Sequence, residues 1–173
     1  MISLSDNEFS VINFLVRNFT ERLTIRNIAQ RLDFSAAGVF NILKKLEKQN
    51  IVVGQKLGTG IFFSINFDNK IAEHLAGIVL LYSDEKFEKI NTEQLRNAKA
   101  AIFDKKTLLL VTDNITVLDI TFPNIEIISK SEEEVINLLR KRNLEILQML
   151  KKGIILFGED KIVDIIKNCI SRF

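Results

Sequence analysis

Apolar residues recur along the first third of the chain with a helical period, then give way to runs that suit strands. Phe9, Ile12, Leu15, Val16 and Phe19 share one helical face. Ser5 with Glu8 three residues later has the form of a capping box, so the pattern predicts a helix from Ser5 or Asp6 to about Phe19. Glu21-Arg22-Leu23 is long enough only for a short strand. Thr24 then stands as N-cap before Ile25, Ile28, Ala29 and Leu32, again on one face. Asp33-Phe34 breaks that rhythm. Ser35 caps a further helix, in which Val39, Ile42, Leu43 and Leu46 follow the i, i+3, i+4, i+7 spacing. After Asn50 the period becomes extended. Ile51–Val53 and Ile61–Ile65 are β-rich, and the three glycines between Gly54 and Gly60 predict a flexible seven-residue hairpin tip.

Asn66 to Asn69 reads as a domain boundary, with Asp68 or Asn69 capping a helix from Lys70 to Tyr82. Ile71, Leu75, Ile78, Val79, Leu81 and Tyr82 make that helix apolar nearly all round. Such a helix is expected to be buried, against a second domain or against its copy in a dimer. His74 on it is an interface or surface residue rather than a ligand. Asp84 to Asn97 is a polar, charged helix or connector, and from Ala98 the pattern is α/β. Strands are expected at Ala100–Phe103, Thr107–Thr112, Ile115–Ile120 and Ile125–Ile128, with Pro123-Asn124 separating the last two. Ser131 caps a helix that opens with Glu132-Glu133-Glu134 and ends near Arg140-Lys141-Arg142, an order that compensates the helix dipole. A helix from Asn143 to Lys152 stops at Gly153, a natural C′ residue. Ile154–Phe157 is a short strand, Gly158 a turn, and Glu159 to Arg172 a last helix. The expected division is a first domain over residues 1–68, a linker helix and connector over 69–97 with a possible dimerisation role, and a small α/β domain over 98–173.

Composition narrows the functional classes. A chain of 173 residues with 47% hydrophobic content holds one or two small domains with real cores. Residues 1–68 carry eight Lys/Arg against six Asp/Glu, and the remainder is balanced, so any nucleic-acid affinity depends on local placement of charge. One cysteine, Cys169, excludes an internal disulfide and a cysteine-based zinc site; a buried structural thiol is the favoured reading. One histidine argues against histidine catalysis. No cofactor or metal is expected. No basic-then-apolar pattern precedes Ser5 and no apolar run reaches membrane-spanning length, so the expectation is a cytoplasmic protein without membrane association.

The helix opened by Ser35 carries the most specific chemistry. Opposite its apolar back it presents Ala37, Phe40, Asn41, Lys44, Lys45 and Lys48. Short side chains where backbone approaches base edges, an amide beside them and ammonium groups beyond are what a helix in the DNA major groove requires. The run SAAGVFNILKKLEKQNIVV resembles the recognition helix and wing entry of the winged helix-turn-helix transcription regulators. The resemblance covers about the first two fifths of the chain. It implies double-stranded DNA as partner, with a candidate DNA-binding set of Arg26, Ser35, Ala37, Gly38, Phe40, Asn41, Lys44, Lys45, Lys56 and Thr59; the few phosphate contacts one such domain offers, with the apolar 71–82 helix, lead to the expectation of a homodimer. Any small-molecule effector is unspecified by it. The alternative is that the winged domain is a protein–protein assembly module, a reading favoured by the low net charge.

The segment Ile125–Lys161 resembles the end of small nucleotidyltransferase-fold domains, which in archaea occur fused behind winged helices. That resemblance sets Ala101–Phe103 and Leu108–Asp113 on the fold's first two strands. Active members carry Gly-Ser and paired aspartates between them. Here the connection is Asp104-Lys105-Lys106-Thr107, so the resemblance implies an inactive copy. No Gly-x-Ser-x-Gly, Walker or Gly-x-Gly-x-x-Gly motif occurs, and no catalytic residue is assigned. The expected fold class is α+β: a winged helix-turn-helix domain, a linker helix and a small α/β domain of inactive nucleotidyltransferase type or of sensor type.

Overall fold

Caps and buried stripes account for most of the elements. The structure, a computed structural model, describes residues 4–82, 90, 92–95, 97–113 and 122–170. The chain divides into two compact units, Met1–Val79 and Leu80–Phe173.

In the first unit, α1 (Asp6–Arg17) opens on the expected capping box: Ser5 Oγ accepts the Glu8 N–H at 3.3 Å and Glu8 Oε2 accepts the Ser5 N–H at 2.9 Å. Its buried stripe is Val11, Ile12, Leu15 and Val16, while Phe9 and Phe19 are only half-buried. The helix stops short of Phe19 because Asn18 caps it, its backbone N–H and Nδ2 both donating to the Phe14 carbonyl. Helix α2 (Ile25–Leu32) is capped by Thr24 and α3 (Ala36–Lys48) by Ser35. Strands β1 (Val52–Leu57) and β2 (Gly60–Ile65) form an antiparallel hairpin. The Glu21–Leu23 strand is reduced to one bridge, the Leu23 carbonyl accepting the Phe63 N–H at 2.8 Å.

The hairpin differs from the flexible seven-residue tip expected. Gly54, Gln55 and Lys56 pair with Phe63, Phe62 and Ile61, leaving a two-residue turn, Gly58-Thr59. Polar residues are compatible with pairing here because a two-stranded ribbon lets their side chains face water. Gly58 sits at φ 60°, the left-handed conformation that tight hairpin turns demand of a loop residue.

Helix α4 (Lys70–Leu81) starts where Asn69 Oδ1 accepts the Ile71 N–H at 3.0 Å. It is not buried all round. Ala72, Ala76, Val79 and Leu80 are fully buried, whereas Ile71, Ile78, Leu81 and Tyr82 are 44–61% exposed.

The second unit is built on a four-stranded sheet in the order β5-β4-β3-β6. Here β3 is Ala100–Asp104, β4 Thr107–Val111, β5 Glu126–Lys130 and β6 Ile154–Phe157. β4 runs parallel to β5, and β3 is antiparallel to both its neighbours. On one sheet face Ala101, Phe103, Leu108 and Leu110 form a core with Ile90 and Leu95, the latter from a 3-10 turn at Thr92–Leu95. Burial of β3 and β4 on both faces explains their unbroken apolar runs. Helices α6 (Leu144–Lys152) and α7 (Glu159–Ile170) pack on β3, and α5 (Glu132–Arg140) packs on both helices. The Ser131 capping box is present, with Glu134 reciprocating. Cys169 is a buried free thiol; burial raises its pKa, against a smaller opposing pull from Arg140. The expected strand at 115–120 and the end of the last helix at 171–172 lie outside the described residues.

Gly153 needs a different explanation from the left-handed cap expected. Its φ is −68°, open to any residue. A Cβ there would lie within contact-forbidden distance of the Met149 carbonyl and 2.7 Å from Ile102 Cγ2, so glycine is required by close approach.

Candidate nucleic-acid interface

The candidate interface is assembled from α2, α3 and the β1–β2 hairpin. Thr24 Oγ1 accepts the Asn27 N–H and Asn27 Oδ1 accepts the Thr24 N–H, both at 3.2 Å, which fixes the start of α2. Asp33 at φ 56° ends that helix, and the Phe34 N–H closes on the Ala29 carbonyl at 2.9 Å. Two residues later Ser35 Oγ accepts the Gly38 N–H at 3.0 Å and opens α3. The tight turn thus follows from two neighbouring cap signals. Val39, Leu43 and Leu46 are buried behind α3, and Ile42 is half-buried.

The far end of α3 is closed by a Schellman arrangement. The Ile51 N–H reaches the Leu46 carbonyl, the Asn50 N–H reaches Glu47, and Asn50 takes the left-handed position at φ 61°. Asn66 Nδ2 and Asn69 Nδ2 donate to the Asn50 carbonyl at 3.1 and 2.8 Å, binding this corner to the end of β2 and the start of α4. Glu47 Oε1 accepts the Gly54 N–H at 3.1 Å, which fixes the hairpin on α3.

On the outward face of α3, Ala37, Phe40, Asn41 and Lys44 are exposed together. Phe40 is 50% exposed, with the Lys44 ammonium 5.9 Å from its ring centroid. Ser35 is exposed with its Oγ engaged in the cap, and Gly38 is half-buried beneath it. Arg26 is exposed on α2, and Lys56 and Thr59 are exposed on the hairpin. Lys45 differs from Lys44. Its Nζ lies 2.6 Å from Oε1 of Glu8, a carboxylate that is almost fully buried. Burial alone would raise the Glu8 pKa. The Lys45 hydrogen bond and charge, with the Ser5 N–H, outweigh it and hold the group below its ordinary value.

Two features were not visible locally in the sequence. Glu8 and Lys45 are far apart in the chain, and the capping box explains Glu8 without any partner. Arg31 links the helices behind the interface: its guanidinium bonds Glu21 at 2.5 Å and Asn18 Oδ1 at 2.8 Å, and stacks 4.6 Å from the Phe14 ring centroid. Only the spatial fold brings these four together.

In the second unit, Asp104 pairs with Thr107 at the turn of the β3–β4 hairpin. Asp113 follows the other end of β4 and is ion-paired with Lys99 at 2.5 Å. The two aspartates stand at opposite ends of the hairpin, roughly 20 Å apart at strand rise, and do not converge on one metal position.

Residues 2–58 match the MarR family, about a third of the chain. The matched segment takes in α1, α2, α3, β1 and the first loop residue. With the hairpin that follows, the N-terminal part of this chain has the helix order and hairpin of a winged-helix domain, similar to that of the MarR family. Comparison with curated proteins and with solved structures gives no match. Among the described residues no helix is long and apolar enough to cross a membrane.

Proposed function

We propose that the protein is a sequence-specific double-stranded DNA-binding regulator that lays α3 in the major groove and the β1–β2 hairpin along the flanking backbone. The observation carrying this reading is the outward face of α3. Small, amide and cationic side chains are exposed in the order Ala37, Asn41, Lys44, on a helix whose other face and both ends are fixed by the fold. Arg26, Lys44 and Lys56 hold phosphates, and Thr59 meets the backbone from the hairpin turn. Lys45 is held by Glu8 and contributes field rather than a direct contact. Two copies on a two-fold axis double the phosphate contacts of a weakly basic domain and read a palindrome. The second unit serves as a non-catalytic scaffold that follows this reader in the chain. Selection of bound duplexes from a random pool tests the proposal: enrichment of one motif supports it, and an unenriched pool contradicts it.

A second reading has one observation in its favour. Val53, Leu57 and Ile61 on the hairpin are 38–50% exposed, an apolar surface that suits a protein partner better than phosphates. Duplex affinity no greater than that of a neutral control protein at low salt supports that reading over DNA binding.

A further inference from the structure

We propose that α3 reads A·T pairs, packing Phe40 against the C5-methyl group of thymine while Asn41 bonds an adenine edge; this rests on the DNA-binding reading above. Base contacts come from the N-terminal half of a recognition helix. In α3 that half exposes Ala37, Phe40 and Asn41 and holds no cation. Guanine is characteristically read by arginine or lysine on O6 and N7. α3 contains no arginine, and its three lysines, Lys44, Lys45 and Lys48, all lie in the C-terminal half. Lys45 is held by Glu8, and the Lys44 ammonium lies over the Phe40 ring. No side chain is left for guanine at the position where bases are met.

The two residues that remain match the A·T edge. An asparagine amide donates and accepts in the spacing of adenine N7 and N6, and an apolar side chain complements the thymine methyl. Phe40 and Asn41 are adjacent, so they address neighbouring positions along the groove. The half-exposed ring has an apolar surface that only a hydrophobic group on the DNA would remove from water, and the thymine methyl is the one the major groove offers. A solitary exposed apolar residue is common on protein surfaces, and that bland reading predicts no discrimination between bases with and without the methyl.

Alternating poly(dA-dT), poly(dA-dU) and poly(dG-dC) duplexes of equal length, titrated at low salt by fluorescence anisotropy, separate the cases. The full-length protein should bind poly(dA-dT) most tightly and poly(dA-dU) about fourfold more weakly, which is what one buried methyl contact is worth. It should bind poly(dG-dC) more weakly still. Phe40→Ala should bind poly(dA-dT) and poly(dA-dU) alike; its circular dichroism should match the wild type, since the side chain is half in water. Equal affinity of the wild type for poly(dA-dT) and poly(dA-dU), or discrimination retained in Phe40→Ala, overturns the methyl contact while leaving DNA binding intact. A wild type that binds none of the three overturns the DNA-binding reading and this inference with it.

Discussion

Lys44 and Lys45 are neighbours with the same side chain, yet the fold gives them separate work. Lys44 faces outward over Phe40; Lys45 neutralises a carboxylate that α1 buries. Lys45→Ala leaves Glu8 buried with the Ser5 backbone and hydroxyl as its remaining named partners. It should therefore destabilise the domain by about 1–2 kcal/mol, read as a lower denaturant midpoint at unchanged slope. Lys44→Ala should leave that midpoint unmoved. The pH dependence has a defined sign. Because the folded-state pKa of Glu8 lies below its ordinary value of 4.5, its contribution is present above that value and is lost as pH falls through the folded one. In Glu8→Gln this part of the acid sensitivity should disappear; an unchanged acid profile would show that Glu8 does not supply it.

At the scale of elements, local chemistry was enough wherever a cap or a periodic stripe fixed the answer. Ser5, Thr24, Ser35 and Ser131 all cap as their sequence contexts indicate. Two of the departures, at the hairpin and at Gly153, share a cause, which is contact between distant segments. Gln55 and Lys56 look like loop residues until β2 is available to pair with them. Gly153 looks like a left-handed cap until Ile102 and the Met149 carbonyl are seen against its α-carbon. Gly153→Ala should accordingly cost about 3 kcal/mol, as overpacking at a site closed by backbone, and should lower the thermal midpoint of the second unit. A variant as stable as the wild type would show that α6 and β3 can separate without penalty. Of the interface, the α3 face was legible because helical spacing alone sorts Phe40, Asn41 and Lys44 from Val39 and Leu43. The engagement of Lys45 was not, since no local pattern joins α1 to α3.

At the scale of the whole molecule, α4 leaves an apolar stripe in water. Ile71 and Ile78 are exposed, with half-buried Leu75 between them, and their spacing of four and three residues is that of a helix–helix seam. We propose this stripe as the seam of the homodimer. Val79 is fully buried and would be a poor probe, because its replacement would disrupt the chain's own core. Ile71→Glu/Ile78→Glu changes only exposed positions. In sedimentation equilibrium the wild type should be a dimer and this variant a folded monomer with weakened DNA affinity. A wild type that remains monomeric at high concentration, with and without DNA, would contradict the dimer.

The central claim is that the outward face of α3 meets DNA, and the salt dependence of affinity for a selected duplex tests it most directly. Lys44→Ala should weaken binding to every sequence. The slope of log affinity against log salt should become shallower by roughly 0.9 for each phosphate contact removed, with folding stability unchanged. An affinity and a slope indistinguishable from those of the wild type would contradict the assignment of α3 as the recognition helix.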